Sequence, residues 1–546
     1  MQIKDSLQKK HNLKKNWSRQ AVLYQIYPRS FKDTNKDGIG DLLGIINKLD
    51  YLNDGTKNSL GIEAIWLSPI YQSPQADFGY DISDYRVIDP IFGDLKIFKK
   101  LLDEAHSRGI KIIMDFVPNH TSVEHKWFKE SRLSKNNPKR DWYIWRDGGK
   151  DKPPNNWLSV FGGSAWEFDK TTGQYYMHSF LKQQADLNWR NEKVRTAMLG
   201  VLDFWLDFGV DGFRTDAVYH LIKDKDFKDD PKNPNYAPGS DDPYDQFLHV
   251  NSQDHEPTLD NIKAFCNLLG AHHNKFLVSE AYLDLPEMQK MYQACENNLH
   301  APFNFNLITT PWMATEYKKF IDEFEKSLSP SQWPNYVMGN HDRPRIAHRL
   351  GRQRARIVAM LLMTLRGMPL IYYGDELGME GIDISMDDCL DPFARNVPGL
   401  GLGRDPERSP MQWDDTKNAG FTTGKPWLPV EKEFKKTNVK VESSDKKSLL
   451  NLYKTLIHFR KSSPALLAGK YVPLDSGNNQ VYVFKRESRE EKMLVVLNFS
   501  DKLQLVSFKI PIAKFVLNTG LDIKEGTKIN LKELTLKPNE GHLFAV

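Results

Sequence analysis

Gly209-Val-Asp-Gly-Phe-Arg-Thr-Asp216-Ala217-Val-Tyr-His220 is the stretch on which the reading of this 546-residue chain turns. It follows a long amphipathic run, Val194 to Phe208, and opens as a short apolar strand. Alternate residues of a strand share a face, so Arg214 and Asp216 point the same way. The guanidinium favours the ionised carboxylate at neutral pH. Such a carboxylate at the carboxyl end of a strand is a nucleophile or an anchor; the plainer alternative is a buried salt bridge. The rest of the chain decides between them.

Working outward, short apolar runs alternate with amphipathic helical runs over the first 460 or so residues. The strand candidates are Ala21–Tyr27, Ile62–Leu67, Ile110–Val117, Val210–Asp216, Phe276–Glu280, Phe303–Asn306, Tyr336–Asn340 and Met368–Tyr373. Eight strand–helix units in series predict a (β/α)8 TIM barrel, an α/β fold whose catalytic groups sit at strand carboxyl ends. The connection from the third strand to the fourth is too long for an ordinary loop, and 120–183 is expected to form a small inserted domain over the barrel mouth. A second long connection, Lys223 to Pro257, is polar and should form part of the entrance. From about Ala468 the pattern changes to alternation without helices, in Val481-Tyr-Val-Phe-Lys485, Met493-Leu-Val-Val-Leu-Asn498 and Leu505-Val-Ser-Phe-Lys-Ile510, as in an antiparallel β-sandwich. The expected division is therefore 1–119 with 184–465 as the barrel, 120–183 as the insertion and 466–546 as the all-β domain.

Composition excludes several classes. A net charge of +4, spread thinly, gives no footprint for nucleic acid. No run reaches membrane-spanning length, and Met1 to Lys15 is basic without the apolar core of a signal peptide. Cys266, Cys295 and Cys389 form neither a disulfide framework nor a metal-ligand spacing, which reads as a reduced, cytoplasmic protein. Asn119-His-Thr121 and Asn498-Phe-Ser500 match the glycosylation pattern by chance on that reading.

The strand ends carry polar groups where a bland barrel needs none. The third ends Asp115-Phe-Val-Pro-Asn119-His120, the fifth Val278-Ser-Glu280-Ala, and the seventh Gly339-Asn340-His341-Asp342. Behind the first strand, Asp33-Thr-Asn35-Lys-Asp37-Gly-Ile39-Gly-Asp41 alternates oxygen-bearing side chains around a central Gly. That pattern suits one hard cation; the alternative is a loop of Asx-turns without metal. An EF-hand would need Glu at the twelfth position, where Gly44 stands.

These motifs resemble the α-amylase superfamily of glycoside hydrolases, in its branch of α-glucosidases and oligo-1,6-glucosidases. The resemblance runs from about Val22 to the end, and Tyr24-Gln-Ile-Tyr-Pro-Arg-Ser-Phe31, Gln184-Ala-Asp-Leu-Asn188 and Arg408-Ser-Pro-Met-Gln-Trp413 point to the branch. Two residues depart from it: Ala185 stands where Pro is usual, and Ser279 where Gly is usual before the acid. The resemblance implies Asp216 as nucleophile, Glu280 as general acid/base and Asp342 as stabiliser of the transition state. Retaining cleavage needs the first two about 5–5.5 Å apart. Asp216 is expected to be kept anionic by Arg214, and Glu280 to be raised by its apolar flank.

The resemblance further implies that His120 and His341 donate to hydroxyls of one glucose and that Tyr80 stacks under its ring. Asp77 would grip the 4-hydroxyl and pair with Arg408, walling the pocket so that only a non-reducing end fits. Phe161, Phe180, Arg214 and Ala217 complete the substrate-contact set. Calcium, or magnesium, is implied at Asp33, Asn35, Asp37, Ile39 and Asp41. In related enzymes Ala or Thr at the position of Ala217 accompanies α-1,4 cleavage and Val accompanies α-1,6 cleavage. The expectation is an exo-acting retaining α-glucosidase on short α-glucosides, preferring maltose-type linkages, as monomer or homodimer. The alternatives are an oligo-1,6-glucosidase, a trehalose-6-phosphate hydrolase, a glucosyl-transferring isomerase and, outside enzymes, a transporter heavy chain or sugar-binding protein.

Overall fold

Strand Gly212–Thr215 lies inside a parallel sheet, between Lys111–Phe116 on one side and Phe276–Ser279 on the other. The ladder continues from Lys111–Phe116 through Ala64–Leu67 and Leu23–Ile26 to Leu370–Tyr372, and from Phe276–Ser279 to His300–Pro302. These ranges come from a computed structural model that describes residues 17–149, 151–253, 255–295, 297–509 and 512–546. The basic start Met1–Lys15 lies outside the described residues.

The gap between His300–Pro302 and Leu370–Tyr372 is filled by the segment around Tyr336. Val337 N–H donates to Asn304 O at 3.0 Å, and Met368 N–H donates to Pro334 O at 3.1 Å. Eight segments thus close the sheet, and the fold is a (β/α)8 barrel followed by an antiparallel sheet domain. The strands are buried along their length, which is why they read as near-continuous apolar runs. Two placements differ from the sequence reading. The sixth strand is His300–Pro302, and Phe303–Asn306 lies just beyond it, running into the helix Asn306–Thr309. The alternation of Phe303 and Phe305 mimics a strand, but both rings pack in the core beyond its end. The seventh segment bridges its neighbours without a regular ladder of its own.

Between the third and fourth strands, Trp145–Arg146, Gln174–Met177 and Trp166–Asp169 form a small antiparallel sheet with its own cluster of Ile144, Trp157, Ala165, Trp166, Tyr175 and Met177. Its root is stitched by His120–Ser122 paired antiparallel with Gln184–Asp186. Ala185 sits fully buried opposite Thr121 in that stitch. At the C-terminal end, six strands from Lys470–Pro473 to Gly541–Ala545 form one sheet, and Gln504–Val506 pairs with Leu534–Leu536 in another.

The cysteine expectation is corrected. Cys266, in the helix His255–Ala271, and Cys295, just after the helix Leu285–Ala294, are joined in a disulfide, while Cys389 is free and buried. Packing of neighbouring helices pairs them, which spacing alone does not announce, and the pairing removes the cysteine argument for a reducing compartment. No helix among the described residues is long and apolar enough to cross a membrane. Asn119 and Asn498 are both fully buried.

Helix Glu192–Phe208 starts on Asn191, whose side chain accepts from Lys193 N–H, and stops at Gly209 in the left-handed region. Three residues on, Gly212 packs so tightly that a Cβ there would stand 2.0 Å from the Phe276 carbonyl oxygen. Gly212→Ala is therefore expected to destabilise the protein by about 1–3 kcal/mol or more in denaturant titration, because backbone must move. A midpoint within error of the parent would show that the two strands can part freely.

Candidate active site

Parallel register delivers the first two acids to one place. Thr215 is paired with Ser279, so Asp216 and Glu280 emerge at adjacent strand tips. Asp216 N–H donates to Phe116 O at 2.8 Å and Glu280 N–H to Thr215 O at 2.9 Å, which fixes both backbones. Asp342 arrives from the seventh segment and Asp115 from the third strand. Asp216, Glu280 and Asp342 line a cavity of about 500 Å³ at the barrel mouth, whose lining also includes Asp77, Tyr80, His120, Phe161, Phe180, Ala217 and His341.

One guanidinium serves three of the acids. Arg214 is fully buried and donates through Nη1 to Asp115 Oδ1 at 2.8 Å and Asp216 Oδ1 at 2.6 Å, and through Nη2 to Glu280 Oε2. Burial pushes the Asp115 carboxyl up to about 6 against the pull of Arg214. Burial also drives Asp216 well above the usual carboxylate range; Arg214 opposes this, while Glu280 and Asp115 add to it. The expectation that Arg214 simply holds Asp216 anionic is thereby corrected, because that one positive charge is divided among three negative ones.

Asp342 behaves in the opposite way. Burial resists its ionisation, but His341 at 3.2 Å, Arg408 at 2.8 Å and Arg404 at 3.3 Å hold its carboxyl well below the usual range. Burial drives His341 well below its ordinary value and His120 down to about 4, so both rings are neutral at pH 7. Tyr80 hydroxyl bonds His341 Nε2 at 2.6 Å and donates to Asp115 at 3.1 Å. Gln184 Nε2 bridges Asp77 and His120, both at 3.1 Å.

The closed end of the pocket differs from the sequence reading in one partner. Asp77 pairs with Arg404 at 2.8 Å, not with Arg408. Arg404 is itself anchored on Asp391 at 2.7 Å and lies 4.7 Å over the Phe161 ring. Arg408 is fully buried behind the site, donating to the His341 carbonyl at 2.9 Å and to Asp342. Phe161 stacks on Phe393 at 5.1 Å, and Phe180 meets His120 edge-on at 5.3 Å. The connection Lys223–Pro257 supplies Asp242, Tyr244, Asp245 and Gln253 to the cavity wall. Sequence reasoning missed Arg404, Tyr219, Tyr244, Tyr282, Arg343 and Phe393. Arg404, Tyr244 and Phe393 stand outside the short strand-end motifs, while Tyr219 lies within the opening stretch and Tyr282 and Arg343 directly follow two of the motifs, where only the folded mouth shows that they line it.

The loop Asp33–Asp41 is closed on its own donors. Asp33 accepts from the N–H groups of Asn35, Lys36 and Gly38 and from the Thr422 hydroxyl, filling the four acceptor positions of a carboxylate. Asp41 accepts from Thr34 N–H and hydroxyl and, as helix cap, from Gly44 N–H. Asn35 and Asp37 bond each other, and Ile39 N–H donates to Asp37 at 2.8 Å. In this conformation the five residues do not present a free, converged ligand set. The metal-type grouping found among the described residues is elsewhere, at Asp203, Asp207 and His272 on the surface.

A barrel mouth with three acids on one arginine and a further acid beside a neutral histidine and two more arginines is a site of the glycoside-hydrolase class. The comparisons agree. Residues 25–469 match the family described as alpha amylase, catalytic domain. The chain is 39% identical to an oligo-1,6-glucosidase of Parageobacillus thermoglucosidasius, over 97% of this chain and 99% of that one. It is 41% identical to maltase 1 of Drosophila virilis, over 96% of this chain and 86% of that one. The crystal structure of an alpha-glucosyl transfer enzyme matches with a TM-score of 0.89 at 36% identity, covering 97% of this chain and 99% of that one. The chain belongs to the alpha-amylase family and is a glycoside hydrolase.

Arg404 gives a test of the closed end. Arg404→Met leaves Asp77 and Asp391 buried without their cation and is expected to cost about 3–5 kcal/mol at pH 7. Burial resists ionisation of Asp391 and Arg404 outweighs it, so the pair stabilises the fold above the ordinary carboxylate pKa and loses that effect as pH falls. The deficit of the variant should accordingly shrink between pH 7 and pH 4. A deficit constant across that range would mean that packing, not charge, is what Arg404 contributes.

Proposed function

We propose that this hydrolase is an exo-acting, retaining α-glucosidase on short α-glucosides, with α-1,4 linkages favoured. The observation that carries the reading is the grip of the two ends of one guanidinium on Asp216 and Glu280. Carboxyls held by the two ends of one guanidinium are close neighbours, as the nucleophile and the acid/base of a retaining enzyme must be. In the first step Glu280 gives its proton to the glycosidic oxygen as that bond breaks, and Asp216 bonds to the anomeric carbon. In the second, Glu280 takes a proton from water, whose oxygen displaces Asp216 and restores the α-configuration. Asp342, kept ionised by its arginines, holds ring hydroxyls as the sugar flattens. His120 and His341, being neutral, bond hydroxyls without adding charge. Asp77 with Arg404 closes the far end, so one terminal glucose fits.

The test is the substitution of each acid by its amide. Asp216→Asn, Glu280→Gln and Asp342→Asn are each expected to lower kcat by orders of magnitude with the fold intact. Near-parental turnover of Asp216→Asn ends this mechanism. With maltooligosaccharides, glucose should be the first product; early internal fragments would refute an exo pocket.

Linkage rests on Ala217, which lines the cavity beside Asp216 and donates its N–H to Glu280 at 3.3 Å. Two more methyl groups there would crowd an α-1,4 aglycone, whereas the 6-methylene of an α-1,6 linkage can step round them. Differences of that size are worth about 1–3 kcal/mol, roughly 10 to 200-fold in kcat/KM. The second reading, α-1,6 preference, is favoured by the 39% identity to a protein named oligo-1,6-glucosidase. Ala217→Val is expected to move the maltose-to-isomaltose ratio towards isomaltose. Ala217 has φ +42°, a region hostile to β-branched side chains, so the variant should also melt lower. That penalty is common to both substrates and leaves the ratio as the readout. A parent that already prefers isomaltose sinks the α-1,4 assignment.

A structural cation, calcium or magnesium, at Asp33–Asp41 belongs to the same proposal and rests on the hard-oxygen donor set alone. Binding would exchange loop hydrogen bonds for ligand bonds. Added calcium is then expected to raise the melting temperature and a chelator to reverse it, with little change in activity at room temperature. No shift with either would leave the loop held by its Asx-turns.

A further inference from the structure

The residues immediately before the two paired acids are Thr215 and Ser279, and both are fully buried. They face each other in register across neighbouring strands, and their hydroxyl oxygens are 2.6 Å apart. Ser279 Oγ is in turn 2.8 Å from His300 Nε2 on the sixth strand, and His300 Nδ1 is 3.3 Å from Met291 O. The donors assign themselves. The Met291 carbonyl can only accept, so His300 carries its proton on Nδ1 and accepts at Nε2. Ser279 then donates to His300, and Thr215 donates to Ser279. Burial pushes His300 down to about 4, in keeping with a neutral ring.

From this chain of bonds we infer that Thr215, Ser279 and His300 are positioning residues, a hydroxyl tie that fixes the spacing of Asp216 and Glu280. The inference rests on the reading of those two acids as the reacting pair. Backbone bonds hold both acids' main chains, Glu280 N–H donating to Thr215 O, and the hydroxyl tie adds a side-chain bond between the same two strands at the rung just before them. The tie acts one residue back from each acid, where it resists splaying under carboxylate repulsion. It explains why Ser stands at 279 in this chain: a residue without a hydroxyl would leave His300 Nε2 buried without this bond and the Thr215 hydroxyl with only the longer bond to the Val278 carbonyl, at 3.3 Å.

The experiment compares Thr215→Val, Thr215→Ser and Ser279→Ala with Asp216→Asn as control, each checked for folding by thermal melt. Thr215→Val and Ser279→Ala are expected to lower kcat tenfold or more on maltose with KM within about twofold. Their combination should be little worse than either alone, since both cut one chain. In each, the acid limb of the pH profile of kcat/KM should move to lower pH, because Asp216, raised in part by the neighbouring Glu280, ionises more readily when the two are held further apart. Thr215→Ser keeps the hydroxyl and is expected to recover most of the rate. Parental kcat and pH profile in Thr215→Val and Ser279→Ala would overturn the tie while leaving the acid pair standing if Asp216→Asn is inactive. A Thr215→Ser as slow as Thr215→Val would also overturn it, by showing that the methyl group matters and not the bond. An active Asp216→Asn would instead remove the pair on which the inference rests.

Discussion

The buried guanidinium of Arg214 is the constraint on which the site depends. Its full desolvation is costly, and the carboxyls of Asp115, Asp216 and Glu280 repay it. The same three acids would repel one another without it. Neither side is stable alone, so the cation and the acids must be assembled together. The parallel ladder does this by placing Asp115, Arg214 and Glu280 at or just past the ends of three consecutive strands. The placement of these charged groups is thus a product of strand register, and register is set by the fully buried barrel interior.

Around that centre the chain builds an asymmetric pocket from remote segments. The closed end joins Asp77 to Arg404 across 327 positions of sequence, with Asp391 completing the pair. The open side is walled by the long polar connection after the fourth strand and by Tyr219, Tyr282 and Arg343. Asp342 lies between the two, held ionised by the arginines beside it, while burial and the neighbouring acids push Asp216 upward. One cavity therefore holds carboxyls shifted in opposite directions, according to how many cations each one touches.

How much of this was legible follows from the range of each interaction. The strands, the insertion, the final sheet and the strand-end acids are local patterns, and apolar runs with polar ends reveal them. The sixth strand was misplaced because Phe303 and Phe305 carry a strand-like alternation past the end of the ladder. Arg408 stands in a distinctive motif and so draws the pairing with Asp77 in sequence, whereas Arg404, four residues earlier, is the one that reaches Asp77 in the fold. The disulfide and the Thr215–Ser279–His300 chain were invisible because each needs two or three elements already packed. Ser279 was noticed as a departure, yet its meaning lies in a histidine on the next strand.

The two buried asparagines that match glycosylation sequons bear on how the protein can be made. Asn119 donates to Asp186 at 3.0 Å and accepts from Lys223 at 2.9 Å at the root of the insertion, and Asn498 ends a strand of the last sheet. A secretory eukaryotic host modifies such sites on the nascent chain, before burial can hide them. A glycan there has no room in the finished structure. Export through that route would divert chains into misfolded material, whereas a host that leaves these asparagines bare allows the barrel to close.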